Sequence, residues 1–132
     1  MAHTLPIPRL ARAPVTRILV IDDDQLIARS INRMLATWIV TVETDPRAAI
    51  ERIRAGECFD VVLCDLHMPE LSGREVLAAI RAHFAGRADA PRLAAMSGDE
   101  DDLDREATRT LLKPFRAVAL QTLLDELLPS PP

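Results

Sequence analysis

The sequence has no strong basic excess: 16 Lys+Arg stand against 20 Asp+Glu, for a formal net charge of -4. That balance argues against a broad phosphate-binding surface, so nucleic acid is not an expected partner. It also lacks any uninterrupted apolar run of the roughly 18 residues that a membrane helix needs, so no membrane insertion is expected. There are only two cysteines, Cys58 and Cys64. Cys64 ends a strand-like run, which makes a disulfide staple a poor reading and a reducing cytoplasmic location the better one. No charged n-region and apolar h-region open the chain; residues 1–16, rich in Pro, Ala and Arg, read as a flexible leader or interdomain linker. Tyrosine is absent, and lysine nearly so: of the 16 Lys+Arg, only Lys113 is lysine. A compact ammonium kept at one place in an arginine-rich chain suggests a task for a point charge on a flexible stem.

What is present is enough for one core. The 132 residues are 48% hydrophobic and 27% charged, the balance of a single globular domain. Arg17 opens the run RILVIDDD, an apolar stretch suited to a strand buried on both faces and ended by three carboxylates. Gln25 to Thr37 follows with Leu26, Ile27, Ser30, Ile31, Met34 and Leu35 at helical spacing, and Asp24 is its expected N-cap. Ile39 to Glu43 reads as a short strand, and Asp45-Pro46 starts a helix that stops near Gly56. Phe59 to Cys64 is a second buried strand with Asp65 at its end, followed by the loop LHMPELSG and a helix from Gly73 to His83. Pro91 to Met96 is a weaker strand ending at Ser97-Gly98. Thr110 to Leu112 is a fifth, closed by Lys113-Pro114. Phe115 to Leu128 is a helix whose apolar face carries Val118, Leu120, Leu123, Leu124, Leu127 and Leu128, and residues 129–132 are a tail. Five strands alternating with helices predict an α/β fold, an open, doubly wound parallel sheet.

In such a sheet the binding crevice lies outside the carboxyl ends of the strands. The polar residues there are Asp22, Asp23 and Asp24 after strand 1, Asp65 after strand 3, Ser97 after strand 4 and Lys113 after strand 5. Carboxylates gathered from two strands repel one another unless a cation neutralises them. An all-oxygen, partly solvated set of this kind suits Mg²⁺, with Mn²⁺ able to substitute. A carboxylate beside Mg²⁺ can act as nucleophile toward a phosphoryl group, while a hydroxyl and an ammonium bind its oxygens.

The segments RILVIDDD, VVLCDLHMPELSG, AMSG and LLKPF together resemble the receiver domain of two-component response regulators, over about Arg17 to Leu128. The resemblance implies a flavodoxin-like five-stranded sheet of order 2-1-3-4-5 and a receiver over 17–128. It implies Asp65 as phosphoacceptor, taking its phosphoryl group from a histidine kinase or histidine phosphotransfer protein. Asp23 would be a direct Mg²⁺ ligand with Asp22 its partner, Asp65 and the backbone carbonyl of His67 completing the set. Ser97 with Gly98 would bind the phosphoryl group and switch, Lys113 would contact it, and the bond before Pro114 would be cis, an uncommon state.

Two departures stand out. The 16 positions separating Ser97 from Lys113 are about six fewer than the family pattern, so the fourth helix is expected to be shortened or missing. Thr110 stands where the family has an aromatic switch residue. The short region resembles receivers attached to hybrid sensor kinases. Other residues suit plainer roles: Asp24 a cap, His67 a loop side chain, His83 a helix C-terminal cation, Asp99 to Asp104 a solvated loop, and Trp38, Cys58, Cys64 and the methionines packing. Residues beyond the leucine stripe of the last helix are candidates for a homodimer or kinase-docking patch. Two rivals remain open at this point: a phosphatase-like enzyme with an aspartyl nucleophile, in which His67 replaces the usual second Asp, and a pseudo-receiver that only binds.

Overall fold

The computed structural model describes residues 16–103 and 108–128. The expected leader, except for Thr16, the tail 129–132 and the Asp104 end of the acidic run lie outside the described residues. Five strands, β1 (Arg17–Ile21), β2 (Ile39–Glu43), β3 (Val61–Asp65), β4 (Arg92–Ser97) and β5 (Arg109–Leu112), form one parallel sheet in the order β2-β1-β3-β4-β5. The helices are α1 (Gln25–Met34), α2 (Pro46–Arg54), α3 (Gly73–His83) and α4 (Ala117–Leu127). Between β4 and β5 the described residues hold only a 3-10 turn, Glu100–Leu103, in place of a full helix.

Strand alternation explains why the apolar runs are unbroken. Ile18, Val20, Val61, Leu63, Ala94 and Met96 face α1 and α4, where Ile31, Leu120, Leu123 and Leu124 meet them. Leu19, Ile21, Val62, Cys64 and Ala95 face the other way, against Ala49 and Ile53 of α2 and Val76, Leu77 and Ile80 of α3. Each Val, Leu, Ile or Met side chain so withdrawn from water contributes about 1.5–3 kcal/mol, and the two cores clamp the sheet from both sides.

Capping fixes where the helices begin. The Asp24, Asp45 and Ser72 side chains accept from Leu26, Arg47 and Glu75 N–H groups, so three helices start at the carboxyl edge of the sheet. Several expectations need correction. Helix α1 ends at Met34 rather than Thr37, because the chain turns at Leu35 to bring the Ile39 N–H onto the Thr16 carbonyl and start β2. Helix α4 starts at Ala117, and Val118 is 68% exposed, off the apolar face. At 100° per residue it points away from Leu120, two positions on. Leu26, 70% exposed, misses its face for the same reason. Cys58 is exposed rather than packed; Cys64 is buried.

Candidate functional site

The carboxyl ends of β1 and β3, neighbours in the sheet, carry Asp22 and Asp65 to the same edge. Asp22 is fully buried. Its Oδ1 accepts the Asp24 N–H at 2.9 Å and its Oδ2 accepts the Lys113 ammonium at 2.8 Å. Asp65 is 6% exposed and ends β3, where its Oδ1 accepts the His67 N–H at 3.3 Å and lies 3.4 Å from Lys113 Nζ. Asp23 is exposed on the turn between β1 and α1. One oxygen from each of Asp22, Asp23 and Asp65 falls within a mutual 4.8 Å.

Lys113 reaches this group because its own N–H donates to the Ser97 carbonyl at 2.7 Å, registering the end of β5 against that of β4. The Lys113-Pro114 bond is cis. Burial works against the ammonium, but the hydrogen bond and charge of Asp22, with Asp65 behind it, raise its pKa above the ordinary value. Burial raises the Asp65 pKa, the Asp22 charge adds to it, and Lys113 opposes both. Two buried acids facing each other with a single lysine between them leave an uncompensated negative charge. Hard, oxygen-only donors with that excess suit a divalent cation such as Mg²⁺, so the residues fit the ion.

Gly73 allows the close packing behind the site. A Cβ there would stand 2.1 Å from the Asp65 carbonyl oxygen and 2.7 Å from Leu66 Cα. The first residue of α3 is therefore pressed onto the backbone that carries Asp65.

Ser97 ends β4, one position past the residue paired with Asp65, and is fully buried. Its hydroxyl donates to Asp102 Oδ2 and accepts the Asp99 N–H at 3.0 Å. Gly98 is exposed with open space where a Cβ would be. Thr110, half-buried on β5, donates its hydroxyl to the Thr108 carbonyl at 3.2 Å.

The acidic run is not simply a solvated loop. Asp102 is 2% exposed; besides Ser97 it holds His67 Nε2 at 2.7 Å and an Arg74 nitrogen at 2.5 Å. The Ser97 hydroxyl and His67 hold its carboxyl well below the usual carboxylate range, against burial, and Arg74 assists. Neither Asp102 nor Arg74 stands out in the sequence. Asp102 is one acid among five within Asp99–Asp104, and only the turn that folds it back onto Ser97 distinguishes it.

A family model described as the response regulator receiver domain matches residues 18–125. Two-component response regulator ARR2 from Arabidopsis thaliana is 32% identical over 116 residues, covering 81% of this chain and 17% of that protein. Cell cycle response regulator CtrA from Brucella ovis is 36% identical over 104 residues, covering 75% of this chain and 44% of that one. The chain therefore spans less than half the length of either relative. Among solved structures, the Vibrio cholerae chemotaxis protein CheY4 superposes with a TM-score of 0.74 at 24% identity, over 87% of this chain and all (100%) of that one. TrrA from Thermotoga maritima, crystallised with Mg(2+)-BeF, gives 0.72 at 24% identity, over 86% and 100%. These two similarities concern the fold. With the family match over most of the sheet and all of the acidic edge, the chain belongs to the response regulator receiver domain family.

Proposed function

We propose that this receiver accepts a phosphoryl group on Asp65 from the phosphohistidine of a histidine kinase or histidine phosphotransfer protein in the cytoplasm, and that it switches conformation in response. The observation that carries this is the convergence of Asp22, Asp23 and Asp65 with the Lys113 ammonium at 2.8 Å from one acid and 3.4 Å from another. The receiver runs over 17–128.

Asp22, Asp23, Asp65 and the backbone carbonyl of His67 would hold Mg²⁺, or Mn²⁺ in its place, and the ion would supply charge neutralisation for the phosphoryl oxygens. An Asp65 carboxylate oxygen attacks phosphorus in line, the O–P bond forms, and the N–P bond breaks with its electron pair returning to the donor imidazole. Lys113 and the Ser97 hydroxyl, with the backbone at Gly98, take the phosphoryl oxygens as charge develops. Water later attacks phosphorus, releasing phosphate and restoring the Asp65 carboxylate. The chain promotes its own phosphorylation and dephosphorylation and is not a classical enzyme acting on separate substrates. The His67 imidazole is bonded to Asp102, which favours the receiver reading over a phosphatase acid/base at this position.

Acetyl phosphate with Mg²⁺ should add one phosphoryl mass to the wild-type chain and none to Asp65→Asn. Equal labelling of the variant overturns the assignment, steady turnover of phosphate esters points to a phosphatase, and no labelling with no Mg²⁺ affinity points to a pseudo-receiver.

A further inference from the structure

Glu43 ends β2 at the same edge of the sheet, yet its carboxylate stands outside the group formed by Asp22, Asp23 and Asp65. Helix α2 holds it instead. Glu43 Oε1 accepts Arg52 Nε at 2.9 Å, and Oε2 accepts the Asp45 N–H at 3.1 Å. The same guanidinium reaches past the end of its helix, where Nη1 donates to both Glu57 carboxylate oxygens at 3.1 and 3.2 Å. The Glu43–Arg52 pair is partly withdrawn from water, with side-chain exposure of 16% and 35%. Charge-assisted bonds of this kind are shorter and stronger than neutral ones.

What Glu43 holds in turn is the backbone of the site. It is in register with Ile21, and its carbonyl accepts the Asp22 N–H at 3.2 Å. Strand β2 lies at the edge of the sheet and has a ladder neighbour on one side only, whereas β3, which carries Asp65, lies between two strands. The turn from Glu43 to Asp45 is therefore fastened from outside the sheet by Arg52, and the acids that follow β1 take their place from it.

Divalent ions differ in how much they need such fastening. Mg²⁺ demands near-octahedral oxygens at about 2.0–2.1 Å, while Ca²⁺ accepts more oxygens at about 2.3–2.6 Å in a flexible arrangement. Small shifts of a carboxylate are costly to the first ion and tolerated by the second.

We infer that Arg52, acting through Glu43, is a positioning residue that sets the preference of the acidic edge for Mg²⁺ over Ca²⁺. This rests on the reading of Asp22, Asp23 and Asp65 as a divalent-ion site. Charge alone gives the opposite sign for loss of Arg52, because removing a cation strengthens the hold of nearby acids on any other cation.

The test is competition of Mg²⁺ and of Ca²⁺ against Mn²⁺ on the full chain, with free Mn²⁺ read by electron paramagnetic resonance. Arg52→Met should weaken Mg²⁺ binding by about tenfold, the lower end of what loss of an outer partner costs a metal site, and Ca²⁺ binding by less than about twofold. Arg52→Lys keeps the charge without the planar fork and should recover part of the ratio. An equal change for both ions, or none, overturns the positioning role and leaves the ion site standing. A wild-type chain that binds none of the three ions removes the site and the inference together. If Arg52→Met fails to fold, Arg52→Lys decides: its Mg²⁺ to Ca²⁺ affinity ratio must fall below that of the wild type, and an unchanged ratio overturns the role. An arginine with a merely structural part would lower the urea midpoint and leave the ratio alone.

Discussion

The Lys113 ammonium donates to Asp22 Oδ2 across 91 positions of sequence at 2.8 Å, and Asp22 is wholly buried. This pair joins the two outer halves of the sheet, since Lys113 follows the edge strand β5 and Asp22 follows β1. It also stores the charge imbalance that makes the site receptive: one cation sits among three acids.

Lys113→Met should therefore lower stability in the absence of divalent ions. Removing one partner of a buried pair leaves the other charged and uncompensated, a cost of about 3–5 kcal/mol. Mg²⁺ should restore more of that loss in the variant than it adds to the wild type, because it takes over the neutralising role. Urea unfolding with and without Mg²⁺ measures both effects. Phosphorylation by acetyl phosphate should meanwhile fall about a hundredfold, the usual loss on removing one preorganised charge stabiliser. A variant that responds to Mg²⁺ no more than the wild type would show that the lysine and the ion do not share the same acids.

Gly73→Ala should be disruptive out of proportion to one methyl group. The new Cβ would stand 2.1 Å from the Asp65 carbonyl oxygen, backbone that cannot move without shifting the acceptor itself. Overpacking of this kind costs about 1–3 kcal/mol. The urea midpoint should drop, and phosphorylation should fall even in conditions where the variant is folded. Gly98→Ala, with open space at its Cβ, is the control expected to leave the urea midpoint nearly unchanged.

Much of this was legible from residue order because buried parallel strands announce themselves. RILVI and VVLC are apolar on both faces, and the acids that stop them mark the sheet edge. Asp24 and Asp45-Pro46 located two helix starts through capping chemistry that acts within a few residues. Val118 and Leu26 misled because composition cannot say which side of a helix a lone apolar residue occupies. Asp102 was hidden for a different reason. An acid in an acidic run has no periodicity, and its burial comes from a turn that brings it beside Ser97 and from Arg74, 28 positions away, and His67, 35 positions away.

The cysteines should differ sharply in reactivity. Cys58 is exposed, whereas Cys64 is buried in β3, where burial and the Asp65 and Asp22 charges push its thiol up. An aromatic disulfide reagent at neutral pH should titrate one thiol promptly in the native chain and the second only on unfolding. Two prompt thiols would mean that β3 opens readily beside Asp65.

The depressed pKa of Asp102 makes the stability of the fold depend on pH over a definite window. Its carboxyl is lowered from 3.8 to about 2, first by the Ser97 hydroxyl and then by His67. A group ionised more readily when folded than when unfolded stabilises the fold above the unfolded value, and the gain disappears as pH falls through the folded one. The wild type should thus exceed Asp102→Asn in urea stability near neutral pH. The gap should hold down to about pH 5 and close progressively between 3.8 and about 2. Unfolding curves for both chains at about pH 6 and about pH 3 suffice to check it. A gap of constant size would mean that the Asp102 contacts do not depend on its charge, and a gap that widens on acidification would reverse the sign of the linkage.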